Sequence, residues 1–305
     1  MKRILSVCCV AFVLAFSPAP KAGGFEANDL GASSPGAGAF AVCAGMFPGG
    51  VAPVPQSKTV QDICKQLGGQ ALFAIRYDTT RKTPNWAAHV LTPQRMAQIA
   101  ANSGAMKRPK FSPDPQIAAD DQAVDKSYVK SGYARGHIVP ANDMSWDKAA
   151  YDATFHFSNV VPQKQRFNAG TWLGEEDAFR KYVAAKNTPM WVFSGVYGAV
   201  EDDPATPDEK EGPTIGAAPN TPIAPKCFYK IIVAQPDPNG PYKVLASIFD
   251  WNDYAKRAAW VNSITTLRTV KSRTGIDFLK GLNVESAHDS AYWNHDMPDT
   301  PGDCQ

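Results

Sequence analysis

The sequence has almost no charge imbalance. Against 31 Lys and Arg stand 29 Asp and Glu, a formal net charge of +2, and Lys2 and Arg3 at the N-terminus supply that excess. A near-neutral chain excludes recognition of a polyanion by a broadly basic surface, so any phosphate contact must come from a few placed Arg and Lys side chains. Long apolar runs are also missing. The apolar run at residues 4–16 is the longest, and about 13 residues are too few to cross a bilayer. Cysteine lacks zinc spacing, with no Cys-x-x-Cys and no close Cys/His pair. No internal repeat or composition break divides the chain.

What is present begins with MKRILSVCCVAFVLAFSPAPKAGG. A basic end, an apolar run and then small and Pro residues predict a secretory signal peptide over 1–22, cleaved between Ser17 and Ala22. The alternatives are a buried N-terminal helix and a lipid-modified Cys8, against which the bulky Val7 argues. Export to the periplasm or the exterior follows, with no stable membrane association after cleavage. Of 6 cysteines, removal of Cys8 and Cys9 leaves Cys43, Cys64, Cys227 and Cys304, an even set in an oxidising compartment. Three pairings are open; the local pair Cys43–Cys64 is favoured, with Cys227–Cys304 tying down the tail.

Residues 23–65 are rich in Gly, Ala and Pro and predict a loose arm anchored by Cys43, ahead of one domain over 66–305. Strands are expected at 71–77 and 86–91, joined as a hairpin. Thr92-Pro93 opens a helix through 94–101, and 107–129 is irregular. Further strands are expected at 190–197, 228–235 and 242–249, a long exposed loop at 201–225, and a helix at 254–270. The fold class is α+β, a largely antiparallel sheet with flanking helices.

Residues 131–181 carry the chemistry. A short strand over 133–140 holds His137, a second is expected at 154–158, and Asn168 suits the N-cap of a helix over 169–185. At ~100° per residue, Asn168, Glu176 and Arg180 project along adjoining parts of one side. This is a strand, strand, helix unit. A neutral imidazole can take a proton from water near pH 7. An amide oxygen suits a hard cation such as Mg²⁺, which keeps most of its waters, and Arg can brace phosphoryl oxygens with paired hydrogen bonds. Singly, each residue also has a plain reading: a structural histidine, a helix cap, an i,i+4 surface pair.

In combination, Tyr133–Ala141 (YARGHIVPA), Phe157–Gln163 (FSNVVPQ), Asn168-x-Gly170-x-Trp172 and Glu176 resemble the signature of the DNA/RNA non-specific endonucleases, the ββα-metal, endonuclease G-like family. The resemblance implies a general base at His137 and one direct protein ligand for the metal at Asn168. It implies that Glu176 acts through metal-bound water, Arg180 on phosphate, and Arg108 on the transition state. Asn159 would orient His137, with Arg135 and Gln163 in support. Mg²⁺, replaceable by Mn²⁺, is the implied cofactor. DNA and RNA are the implied substrates, cut to 5′-phosphate ends, and an oligomer is compatible. Ala134 stands where the family most often has Asp, which predicts a changed metal preference. Rival readings are a nucleic-acid-binding pseudo-nuclease, a phosphoesterase for small substrates, and a metal site at His288 and His295.

Overall fold

The computed structural model describes residues 38, 40–54, 60–198, 214–250, 256–285 and 287–304. The predicted signal peptide, the first part of the arm and most of the 201–225 loop lie outside the described residues. Among those described, the strands are β1 (Val60–Leu67), β2 (Gln70–Asp78), β3 (Thr83–Leu91), β4 (Ala134–His137), β5 (Val160–Gln163), β6 (Met190–Tyr197), β7 (Cys227–Ala234), β8 (Lys243–Asp250) and β9 (Ile264–Thr265). The helices are α1 (Pro93–Ala101), α2 (Asp125–Tyr128), α3 (Lys148–Ala153), α4 (Gln165–Phe167), α5 (Leu173–Lys186), α6 (Leu267–Thr274) and α7 (Ser290–Trp293).

Seven strands form one sheet in the order β1-β2-β3-β6-β7-β8-β9, every neighbouring pair antiparallel. The chain leaves this sheet at Leu91 and re-enters at Met190, and those two residues are paired. Everything between them, including the two-stranded β4–β5 unit and α1 to α5, is an excursion from one point of the sheet. Alternation sorts side chains between two cores. On β7, Phe228 and Ile232 face the excursion, whereas Tyr229, Ile231 and Val233 face α6 and the N-terminal segment. Because both faces are covered, β7 is buried along its whole length.

Several expectations are corrected. The arm is not loose where it is described: Phe40, Cys43, Met46 and Phe47 are buried against Trp86 and Phe193. Aromatic burial outweighs the Gly and Pro content there. Strand β1 starts inside the span assigned to the arm; its mixed sequence VQDICKQL hides an edge strand. Residues 154–158 are not a strand. They make a single bridge, His156 to Ser112, and β5 follows them. Asn168 is not an N-cap. Helical structure already begins at Gln165, and Asn168 has helical φ −55° and ψ −45°. It opens a π-turn, Asn168–Trp172, in which Gly170 departs from helical geometry before α5 begins. The helix expected at 254–270 is instead a 3₁₀ segment (Arg257–Ser263), strand β9 and helix α6. The Thr266 hydroxyl accepts from Thr269 N and starts α6 afresh. Of the loop expected to be exposed, Ile215, Ile223 and Ala224 are buried.

Both favoured disulfides form, Cys43–Cys64 and Cys227–Cys304. Among the described residues no helix is long and apolar enough to cross a membrane.

Candidate active site

Strand β4 pairs antiparallel with β5, with His137 opposite Val160 and Gly136 opposite Val161. From Gln163 the chain passes through Lys164 directly into α4, the π-turn and α5. The ββα unit is therefore one continuous piece of chain. Gly136 is required within it. A Cβ there would overlap the carboxamide of Gln163, which is fully buried beneath the hairpin.

His137 is half-buried, its ring 4.7 Å from Phe155 and 5.3 Å from Phe111. Nε2 is buried and has no hydrogen-bond partner among the described residues. Burial among these rings, reinforced by the Arg108 charge, pushes the His137 pKa down to about 3. The imidazole is thus neutral at any ordinary pH. Arg108 is exposed and lies over the Phe111 and Phe155 rings, 5.5 Å from each centroid. The two aromatics that bury the histidine therefore also seat this guanidinium.

Asn159 does not orient the His137 ring. Its Oδ1 accepts from Val139 N at 2.8 Å, and its Nδ2 donates to Val139 O and Thr154 O. Asn159 fixes the backbone two residues past the histidine. Arg135 donates to the Asp125 carbonyl at 3.0 Å, pairs with its carboxylate at 2.9 Å, and lies over Tyr128.

Asn168 is half-buried, and its side chain takes no hydrogen bond among the described residues. Glu176 is buried with Lys230 Nζ 3.6 Å from its Oε1, and burial raises its pKa to about 7. Arg180 is not a free arm. Nη1 binds the buried Asp143 and Nη2 binds Asp177, each at 2.5 Å, and Asp143 also accepts from or pairs with His89 at 3.0 Å. Burial opposes the charge on Arg180, but Asp143 and Glu176 hold its pKa raised.

Sequence reasoning missed Asp143, His89, Lys230 and Phe111. Lys230 had a signal, a lone charge inside the apolar run CFYKIIVA. The His288–His295 pair is not a metal site, since His288 Nε2 is bonded to the His295 carbonyl and the His295 ring packs on Trp260. Among the described residues there is no cluster of three or more His, Cys, Asp or Glu able to hold a metal. An amide without a hydrogen bond among the described residues, on the same piece of chain as the Glu176 carboxylate, suits a cation that keeps most of its own water.

A short hairpin carrying one half-buried histidine, running without a break into a helix that offers an amide and a carboxylate, defines a ββα site. The chain belongs to the DNA/RNA non-specific endonuclease family, whose pattern matches residues 52–285. It is 34% identical over 166 residues to the mitochondrial nuclease EXOG of Danio rerio, a match covering 54% of this chain and 46% of that protein. It is 26% identical over 227 residues to a nuclease of a Nostoc species, covering 72% and 75%. The chain thus spans about half or less of the first curated relatives, 46% for Danio rerio and 33% for the Xenopus laevis EXOG. A crystal structure of an EndoG/EndoGI complex has a similar fold, with a TM-score of 0.61, 22% identity, and coverage of 75% of this chain and 89% of that one.

Proposed function

We propose that this chain is an exported endonuclease that hydrolyses phosphodiester bonds in DNA and RNA, leaving 5′-phosphate ends. What supports the reading is the placement of His137 on the hairpin that runs without a break into Asn168 and Glu176, in a buried setting that favours the neutral imidazole. Such a ring takes the proton of an attacking water without first losing one of its own. Asn168 would hold a divalent cation directly and Glu176 through water, with Mg²⁺ the expected ion and Mn²⁺ a substitute. When bound, the cation supplies charge stabilisation on the phosphate and the leaving 3′ oxygen. Arg108, seated on Phe111 and Phe155, braces a phosphoryl oxygen. Arg180 acts by position, tying α5 to Asp143.

Ala134 leaves β4 without the carboxylate most common in the family, and the nearest carboxylate to Arg135 is that of Asp125. This supports an altered cation preference in an active enzyme. Export rests on the N-terminal segment, which carries the features of a signal peptide.

The test incubates plasmid DNA and structured RNA with Mg²⁺ or Mn²⁺, with and without chelator, beside His137→Ala. Expected are cleavage of both substrates, its loss with chelator, and a fall of two or more orders of magnitude in the variant. Binding without cleavage in every condition would refute the nuclease reading.

A further inference from the structure

On the face of the sheet that meets the excursion, one buried polar row crosses three neighbouring strands. Ser194 on β6, Lys230 on β7 and Ser247 on β8 are paired in register, and all three are buried. On β7 the same face otherwise shows Phe228, Ile232 and Ala234. Lys230 alone breaks that pattern, and it has no exposure at all. Desolvating an ammonium costs several kcal/mol unless partners compensate, so its partners indicate what it is for.

Those partners lie at the start of α5. Nζ donates to the carbonyl of Trp172 at 3.3 Å, stands 3.1 Å from the centre of the Trp172 ring, and pairs with Glu176 Oε1 at 3.6 Å. Trp172 closes the π-turn that Asn168 opens. A π-turn interrupts the regular helical ladder, so the offset between Asn168 and Glu176 is not set by helix geometry alone. Lys230 fixes its far end from the sheet. The neighbouring Ser247 instead donates to Glu175, at 2.6 Å.

We propose that Lys230 is a positioning residue for the cation site: it clamps the end of the π-turn and the Glu176 carboxylate, setting Glu176 relative to Asn168. This rests on the nuclease reading. Lys230 touches neither substrate nor reacting atoms; it acts through Glu176 and Trp172. Removing a partner of this kind lowers metal affinity by about 10- to 100-fold.

The experiment measures Mn²⁺ binding to the full chain by calorimetry and by electron paramagnetic resonance, without nucleic acid. The proteins are the unaltered chain, Lys230→Met, Glu176→Gln, the Lys230→Met/Glu176→Gln double variant, and Ser247→Ala. Circular dichroism checks the fold of each. Expected is a loss of about 10-fold or more in Lys230→Met. Adding Lys230→Met to Glu176→Gln should cost clearly less than Lys230→Met costs alone, the remainder being the Trp172 arm, and Ser247→Ala should bind within about 3-fold of the unaltered chain. If Lys230→Met does not fold, the double variant, free of the unpaired charge, decides by binding Mn²⁺ less than about 10-fold more weakly than Glu176→Gln. Unchanged affinity in Lys230→Met, additive losses in the double variant, or an equal loss in Ser247→Ala overturns the proposal while leaving the nuclease reading intact. Absence of Mn²⁺ binding in the unaltered chain overturns both.

Discussion

Asp143 offers the sharpest test of how the excursion is held to the sheet. Its carboxylate is 2% exposed and receives Arg180 Nη1 at 2.5 Å and His89 Nε2 at 3.0 Å, joining α5 to β3 through the turn that follows β4. Burial by itself raises the carboxyl pKa, and Arg180 with His89 overcomes burial and holds it low. The pair's contribution is therefore complete above the ordinary carboxylate range and is lost as pH falls through the depressed folded value. At pH 7.5 it is fully present. Asp143→Asn keeps the shape and removes the charge. Removing one partner of a buried pair costs about 3–5 kcal/mol. Asp177 still holds Nη2, so about 3 kcal/mol is expected. At roughly 2.1 cal/mol/K per residue, unfolding entropy for this chain is about 0.6 kcal/mol/K, and the loss corresponds to a Tm lower by about 5 °C. Asp177 is the control, since its side chain is 36% exposed. Asp177→Asn should cost under about 1 kcal/mol, or ~1–2 °C. Scanning calorimetry at pH 7.5 with chelator reads both. Equal shifts, or a Tm within 1 °C of the unaltered chain for Asp143→Asn, would refute the assignment of Asp143 as the buried tie.

Three other outcomes are expected. Burial raises the Glu175 pKa from 4.5 to about 7; between those values the folded state keeps a proton that the unfolded chain releases, so its contribution to stability falls as pH rises and levels off above about 7. Glu175→Gln should flatten that part of the metal-free Tm–pH curve, and parallel curves for the two proteins would contradict it. The Cys227–Cys304 bridge spans 77 residues and Cys43–Cys64 spans 21, which chain entropy converts to about 4.5 and 3.3 kcal/mol. Urea denaturation should therefore show the larger loss for the Cys227→Ser/Cys304→Ser protein, and the reverse order would reject loop entropy as the cause. Gly136→Ala forces a methyl into Gln163 and should cost about 1–3 kcal/mol. Adding Gln163→Ala should recover part of that in thermal melts, and no recovery would mean the clash lies elsewhere.

Strand periodicity made much of this protein legible in its sequence. The runs at 71–77, 86–91, 190–197, 228–235 and 242–249 are strands, because a sheet buried on both faces demands near-continuous apolar residues whatever they pack against. His137, Asn168 and Glu176 could be named from the motif resemblance, because hairpin and helix are one uninterrupted piece of chain. The rest depended on residues meeting from far apart. An edge strand as polar as β1 exists because β2 is beside it, and the arm packs because Trp86 and Phe193 are there to be covered. That Arg180 is held by Asp143, 37 residues earlier, could not be read from its helix alone. Lys230 is a lone charge in an apolar strand, and only the fold shows it buried against Trp172 and Glu176. Sequence fixes which groups can do chemistry; long-range pairing of charges decides which are free to do it, because a buried charge takes the partner that the fold presents.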